Sequence, residues 1–326
     1  EGRPLPQGIL LSHRDTIMEW QCRQRAGAGL YNLGNTCYLN AVLQCLTYTP
    51  PLANYLLSRE HQQSCHHESF CMMCIMEVHV GSILQSAHAI HPTAFTNVLE
   101  QIGPFQLGKC QDAHEFFCCL VNSMHRACLG GSSGLATSSQ ETTIIQQIFG
   151  GSLRSRVTCF NCRAVSDSFE AVIDIPLEIQ AASSLQQALG HFVRDERMDG
   201  DNCFHCVSCD KRVAASKTLT ISEAPKVLTL CLKRFEGLTG KKITKIVQYP
   251  EHLDLGPYMS EPDGERFLYS LYAVLVHIGF SCQHGHYLCY IKASNGQWNR
   301  MNDAVVVPCS VEKALRQQAY LLFYIR

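Results

Sequence analysis

Two rhythms divide the chain. Up to about residue 130 apolar residues recur at steps of three and four, the period of an amphipathic helix. Leu39, Val42, Leu43 and Leu46 form one such stripe, which predicts a helix starting near Cys37. Pro50-Pro51 breaks it. Further helices are expected over Leu52–Arg59, Met73–Ser86 and Ala94–Gln101, and over Asp112–Cys128, which carries Phe116, Phe117, Leu120, Val121 and Met124. Residues 1–27 are a polar, Pro-containing extension in which Ile17 to Arg25 reads as a short helix. Residues 129–140 are a Gly/Ser-rich linker. From 143 onward the runs shorten and become β-rich: Ser152–Thr158, Ser168–Ile175, Val227–Phe235, Leu268–Ile278, Tyr287–Ala293 and Ala319–Ile325. The last is apolar almost throughout, as in an interior strand. One amphipathic helix, Ser184–Val193, interrupts them. The expected class is α+β, a helical half followed by a strand-rich half.

Cys37 sits where a loop becomes a helix. Gly29, Asn32, Gly34, Asn35 and Thr36 before it are turn and cap residues, with Asn35 or Thr36 placed as the N-cap. A thiol there meets unpaired backbone N–H groups and the positive end of the helix dipole, which favour the reactive thiolate. Any one of the chain's 19 cysteines is by default a small apolar core residue. That remains the expectation for Cys45, Cys118, Cys119, Cys231 and Cys289. The loop, the helix and a downstream histidine segment set Cys37 apart. That segment, residues 271–303, reads as a strand, a polar turn and a returning strand, holding His277, His284 and His286, then Asn302 and Asp303. A histidine at such a hairpin mouth can face a cysteine with one nitrogen while an Asn or Asp fixes the other. Chemistry alone does not choose among the three histidines, or between Asn302 and Asp303.

Composition narrows the class. Of 326 residues, 46% are hydrophobic and 17% charged, with net charge -1, so a substantial core is available and neither nucleic acid nor an anionic membrane is implied as an obligate partner. No apolar run approaches the roughly 18 residues of a membrane span. There is no initiator Met and no apolar signal core, so the chain is expected to be a piece of a longer protein. The odd cysteine count and the Cys-x-x-Cys pairs suggest metal binding in a reducing intracellular setting, nucleus or cytoplasm, rather than disulfides. Cys159-x-x-Cys162 and Cys206-x-x-Cys209 offer four thiolates for structural zinc, with a Cys203/Cys206 register as the alternative. A second zinc site is expected from His61, Cys65, Cys71 and Cys74, with His66 or His67 able to replace His61.

Gly29-Leu30-x-Asn32-Leu33-Gly34-Asn35-Thr36-Cys37-Tyr38-x-Asn40 resembles the cysteine box of the ubiquitin-specific proteases. Gly285-His286-Tyr287 resembles their histidine box, and Trp298-x-x-Met301-Asn302-Asp303 the segment of the third catalytic member. The resemblance covers about 28–326 and implies a papain-like thumb–palm–fingers fold: a helical thumb over about 28–135, and zinc-bearing fingers with a β palm over about 141–326. It implies a thiol-dependent ubiquitinyl hydrolase acting on ubiquitin conjugates, with Cys37 as nucleophile, His286 as base, Asn302 as third member (Asp303 as its alternate) and Asn32 as oxyanion donor. Zinc is structural, with no catalytic cofactor, and the domain is expected to be monomeric. The resemblance also prefers Cys206/Cys209 as the second pair and treats His277 as a supporting residue. Gly108-x-Cys110-Gln111-Asp112-Ala113-x-Glu115-Phe116 resembles the substrate box, in which Asp112 and Glu115 would pair with the arginines of ubiquitin's Leu-Arg-Leu-Arg-Gly-Gly tail. Phe235 and Tyr287 would line the glycine channel. Two positions depart from the pattern, Cys110 for Gln and Asn299 for Tyr. They leave a ubiquitin-binding module of weakened activity as the alternative, beside a protease for a ubiquitin-like modifier.

Overall fold

A computed structural model of the chain describes residues 16–65, 70–129, 142–235, 240–261, 266–281 and 284–326. The organising element is helix α1, Cys37–Thr47, in which every residue is buried. An ordinary surface helix is apolar on one stripe. This one is enclosed, and Gln44 within it is bonded inward, its Nε2 donating to the Ala28 carbonyl at 2.9 Å.

Around α1 lie α2 (Pro50–Ser58), α3 (Glu60–Ser64), α4 (Met72–Gln85), α5 (Thr93–Thr96), α6 (Leu99–Ile102), α7 (Ala113–Cys128) and α8 (Ile144–Phe149). Three expectations change here. Ile17–Arg25 is not helical: the Asn54 amide takes the carbonyls of Ile17 and Glu19 at 3.2 and 2.7 Å and holds the segment extended. The helix expected over Ala94–Gln101 is two short ones, α5 and α6. The strand-rich half begins later than 143, because Thr143 caps a further helix, α8, by accepting from Gln146 N at 3.1 Å. Residues 130–140 of the expected linker, and His66 and His67, lie outside the described residues.

The strand-rich half forms two larger sheets and a hairpin. In the first sheet β1 (Gly151–Cys159) pairs antiparallel with β2 (Val165–Val172) and with β7 (Ala215–Glu223), which pairs with β4 (Glu196–Met198). The hairpin is β5 (Phe204–Cys206) with β6 (Lys211–Val213). β3 (Ile175–Leu177) lies parallel to β8 (Val227–Leu232) in the second sheet, so the single strand expected over Ser168–Ile175 is divided between sheets at Ile173-Asp174. The second sheet continues through β14 (Ala319–Ile325) and β10 (Leu268–Ser281) to β11 (His284–Lys292), β12 (Trp298–Asn302) and β13 (Val305–Cys309), and β9 (His252–Asp254) pairs with β10. α9 (Leu185–Phe192) and α10 (Val311–Leu315) complete the order.

This second sheet is covered on both faces. Ala273, Leu275, Tyr287, Cys289, Ile291, Leu321 and Phe323 face the helical core, while Val274, Val276, Leu288, Tyr290, Leu322 and Tyr324 face a second core that includes α9. Alternate residues thus serve alternate cores, which is why these strands read as continuous apolar runs. Among the described residues no helix is long and apolar enough to cross a membrane. Because α1 is packed on all sides, Leu43→Ala leaves a cavity rather than an exposed face. We expect it to lower the unfolding free energy by about 2–5 kcal/mol, read as a shift in urea midpoint.

Candidate active site

Cys37 opens α1 and is 7% exposed. Thr36, one of the two residues expected there, is the N-cap of α1. Thr36 precedes the helix but makes no side-chain cap; its hydroxyl accepts from Leu33 N at 2.8 Å. Asn35 lies in the left-handed region (φ 55°), and its amide donates to the Gly108 carbonyl at 2.7 Å. The start of α1 is therefore held by the loop around it, and among the described residues no side chain caps its N–H groups. Asn32 shapes that loop. Its Oδ1 accepts from the backbone N–H groups of Gly34 and Thr36 at 3.1 and 3.2 Å.

His286 comes from β11 and Asn302 from the end of β12. Nε2 of His286 lies 2.6 Å from Asn302 Oδ1. With Nε2–H donating to Asn302, Nδ1 is left to face the Cys37 thiol, whose side chain hydrogen-bonds the imidazole. That bond, outweighing partial burial and assisted by Asn302, holds the imidazole well above the usual range, at about 9. His277, packed 4.7 Å from the Tyr287 ring, is pushed the other way, to about 4, by burial and then by Lys242. His284 is exposed at the strand start. The structure thus brings Cys37, His286 and Asn302 together and sets the other two histidines apart.

Asp303 has a different position from the one expected of an alternate third member. Its nearer oxygen is 3.9 Å from His286 Nε2, against 2.6 Å for Asn302. Its carboxylate instead accepts from Asn40 Nδ2 at 2.8 Å and Asn32 Nδ2 at 3.1 Å. Its backbone sits in a left-handed turn (φ 48°), and its carbonyl accepts from Leu30 N at 2.9 Å. Gly29 passes so close that a Cβ would lie 2.4 Å from the Ala304 carbonyl oxygen, so a side chain there would push the two segments apart.

Asp112 is the N-cap of α7. Oδ1 accepts from His114 N and Glu115 N, both at 2.9 Å, and Oδ2 accepts from the Tyr320 hydroxyl at 2.7 Å. Glu115 is exposed one turn along. Phe235 stacks edge-on between His277 and Tyr320, 5.2 Å from each, and Tyr287 lies beside them, 6.3 Å from Tyr320. Cys110 is exposed, and Asn299 is buried with its amide donating to the Gln297 carbonyl at 2.9 Å. Two residues had no assigned part in the sequence reading. Asn40 carried a signal, a buried polar residue on an otherwise apolar stripe. Tyr320 carried none, because its partner is 208 residues away.

Both cysteine-rich groups gather. Cys159, Cys162, Cys206 and Cys209 place their sulfurs within 4.8 Å of one another, and His61, Cys65, Cys71 and Cys74 do the same with their ligand atoms. The Cys159–Cys209 and Cys162–Cys206 separations are 3.8 and 3.6 Å. Tetrahedral zinc at 2.3 Å from sulfur requires edges of about 3.8 Å, so the donor set fits. The backbone N–H of Cys162 helps draw the Cys159 thiol down to about 6, which favours the ligating thiolate. Cys203 is outside this group.

A profile of the ubiquitin carboxyl-terminal hydrolase family matches residues 28–324. This chain belongs to the ubiquitin carboxyl-terminal hydrolase family. Human ubiquitin carboxyl-terminal hydrolase 42 is 53% identical over 328 residues, covering 100% of this chain and 25% of that protein. Human ubiquitin carboxyl-terminal hydrolase 17-like protein 20 is 52% identical over 301 residues, covering 92% of this chain and 56% of that protein. The chain thus spans a quarter to about half the length of these relatives. Among solved structures, a yeast SAGA DUB module superimposes with TM-score 0.80 at 31% identity over 91% of this chain and 68% of that one. The SAGA Ubp8/Sgf11/Sus1/Sgf73 DUB module bound to ubiquitin aldehyde gives TM-score 0.79 at 28% identity, over 91% of this chain and 69% of that one. The ubiquitin carboxyl-terminal hydrolase domain here has the papain-like thumb–palm–fingers architecture.

The raised imidazole yields a prediction. We expect Cys37→Ala to bring the His286 titration down from about 9, followed by NMR of the ring protons, because the largest contact that raises it is removed while burial still opposes the charge. Being raised in the folded state, His286 contributes stability that is complete below about pH 6.5 and lost as pH rises through about 9. The pH dependence of the urea midpoint should flatten in the variant over that window.

Proposed function

We propose that this chain is the catalytic domain of a deubiquitinase, hydrolysing the bond after the C-terminal glycine of ubiquitin on conjugated proteins or polyubiquitin. The observation that carries it is the meeting of Cys37, His286 and Asn302 at the start of a buried helix in a chain of this family. The Cys37 thiolate, paired with the His286 imidazolium, adds to the glycine carbonyl carbon, and the carbonyl electron pair moves to oxygen. Backbone N–H groups at the start of α1 and the Asn32 amide receive that oxyanion, which needs donors fixed in advance. Asp303 does the fixing, because it takes one N–H of Asn32 and leaves the other for substrate. His286 then gives its proton to the leaving lysine amine as the C–N bond breaks. Neutral His286 next accepts a proton from water, which attacks the thioester and returns Cys37. Asn302 keeps the ring in one orientation through both steps.

We assign the helical region before β1 to the thumb, the second sheet to the palm, and the first sheet with its cysteine-tipped hairpin to the fingers. Glu115 is the exposed carboxylate suited to an arginine of the ubiquitin tail. Asp112 has one oxygen shared by two backbone donors and the other bonded to Tyr320, so it orders Tyr320 and the channel wall and contributes charge to the same grip. Phe235 and Tyr287 form that wall around the two glycines. Cys159, Cys162, Cys206 and Cys209 would hold one zinc, and His61, Cys65, Cys71 and Cys74 a second. When bound, each would cross-link loops and supply no nucleophile. The domain is proposed to act as a monomer in the reducing nucleus or cytoplasm, with ubiquitin as its macromolecular partner.

Intact-mass analysis after mixing with a ubiquitin C-terminal electrophile tests the reading. One added ubiquitin is expected, and none with Cys37→Ala; no adduct from folded wild type, with an adduct from a ubiquitin-like electrophile instead, would move the activity to another modifier. Asn32→Ala is expected to lower kcat on a ubiquitin reporter by about 10²–10³-fold with KM little changed. Cys206→Ser is expected to remove one zinc per chain by elemental mass spectrometry and to melt the finger hairpin first on heating.

A further inference from the structure

Beyond the two cysteine-rich groups, His114, Cys118 and Asp174 bring one imidazole nitrogen, one thiol sulfur and one carboxylate within 4.8 Å of one another. His114 and Cys118 are one helical turn apart on α7, at the i, i+4 spacing that puts two ligands on one face. Asp174 arrives from the bend between the two sheets, where the chain leaves β2 and enters β3. The three atoms converge rather than relay. His114 Nε2 is 2.7 Å from Asp174 Oδ2, and the same nitrogen is 3.5 Å from Cys118 Sγ. A nucleophile–base–orienter chain would use both ring nitrogens, one toward the thiol and the other toward the carboxylate. Here one nitrogen faces both partners, and Sγ also lies 3.8 Å from Asp174 Oδ1.

We propose that His114, Cys118 and Asp174 form a third metal site, taking a divalent ion of zinc's class. Tetrahedral zinc with ordinary bond lengths sets sulfur–nitrogen and sulfur–oxygen edges of about 3.5 Å. The observed 3.5 and 3.8 Å lie within about 0.3 Å of these. The 2.7 Å contact to His114 is made by the other carboxylate oxygen, Oδ2, so an ion bound through Oδ1 keeps the sulfur–oxygen edge and exchanges the His114–Oδ2 hydrogen bond for a bond from Nε2 to the metal. Without an ion the three groups are held by hydrogen bonds, His114 to Asp174 Oδ2 and the Cys118 thiol to Asp174 Oδ1, and binding exchanges these for bonds to the metal. Mixed nitrogen, sulfur and oxygen donors suit zinc over magnesium or calcium, which prefer oxygen alone. The side chains of His114 and Asp174 keep 25% and 14% exposure, so an ion can enter and a water can take the fourth position. On binding, the Cys118 thiol proton goes to solvent and the thiolate joins the ion. The ion would then pin the first turn of α7, two residues from the Asp112 cap, to the crossing between the sheets.

The test uses the whole chain, purified with Zn2+ supplied. Zinc is counted by native mass spectrometry in wild type, Cys118→Ser and Asp174→Asn. Wild type is expected to hold one more zinc than either variant, with the thiols of the other two groups equally protected in all three. In parallel, maleimide labelling of wild type is mapped by peptide mass spectrometry before and after a mild chelator. Cys118 labelling is expected to rise at least tenfold on zinc removal under conditions that keep the other groups loaded. Equal zinc counts in the three folded chains, or Cys118 labelling indifferent to zinc, would overturn the site. Should a variant fail to fold, the wild-type labelling decides alone. Neither readout depends on ubiquitin turnover, so the site can fail while the catalytic reading stands, and the reverse.

Discussion

The structure depends on one carboxylate. Asp303 lies in a left-handed turn, where a non-glycine residue is uncommon, and the surrounding bonds fix it there. Its two oxygens tie the loop before α1 through Asn32 and the helix itself through Asn40, while its backbone carbonyl takes Leu30 N. Residues 263 and 271 positions apart are thereby locked into one unit at the meeting of the helical region and the sheet. Charge-assisted bonds of this kind are stronger than neutral ones. They also explain why the Asp303 carboxylate stands back from the imidazole. A carboxylate already committed to two amides, at 3.9 Å from the imidazole, is a brace, and Asn302 at 2.6 Å holds the ring.

The arrangement of the two histidines follows from the same packing. His277 and His286 share the β10–β11 hairpin and differ in surroundings. His277 is enclosed by Phe235 and Tyr287 with Lys242 nearby, so burial and the lysine outweigh the favourable Asp112 carboxylate and oppose protonation. His286 meets a thiol, an amide oxygen and, farther off, the Asp303 carboxylate, all of which favour it. Gly285 between them keeps the ladder tight. At φ 156° it sits where a Cβ would come within 2.4 Å of the Ile278 carbonyl oxygen.

Much of this was legible locally. The stripe of α1, the Asp112-x-x-Glu115 start of α7 and the paired strands around His286 are short-range patterns, and periodicity finds those. What escaped was decided at long range. Ile17–Arg25 has helical spacing, but the Asn54 amide offers its carbonyls better partners than a short helix would. α8 has only six residues and follows a Gly/Ser-rich stretch, so its period barely registers. The strand read through Ile173-Asp174 was one apolar run in sequence and two strands in space. At the site, Cys37, His286 and Asn302 were readable because their sequence neighbours form recognisable boxes. The parts of Asp303 and Tyr320 were not, because each is defined by a partner more than 200 residues away.

The need for metal can be argued from burial. The second sheet is sandwiched between two cores, and apolar contact holds it. The first sheet has no such cover at its far end. β2 is exposed at seven of its eight positions, and Val207 at the tip of the β5–β6 hairpin is 86% exposed. A two-stranded hairpin is marginal in water by itself, and these strands are three residues each. Four converging thiols could hold the metal that supplies what the missing core cannot. They join the β1–β2 turn to the β5–β6 turn across some fifty residues of chain, at a point where cysteine is nearly the only buried side chain. The cysteine spacing and the thinness of the sheet are thus two expressions of one constraint: a ribbon with little core of its own has to be stabilised by bonds rather than by burial.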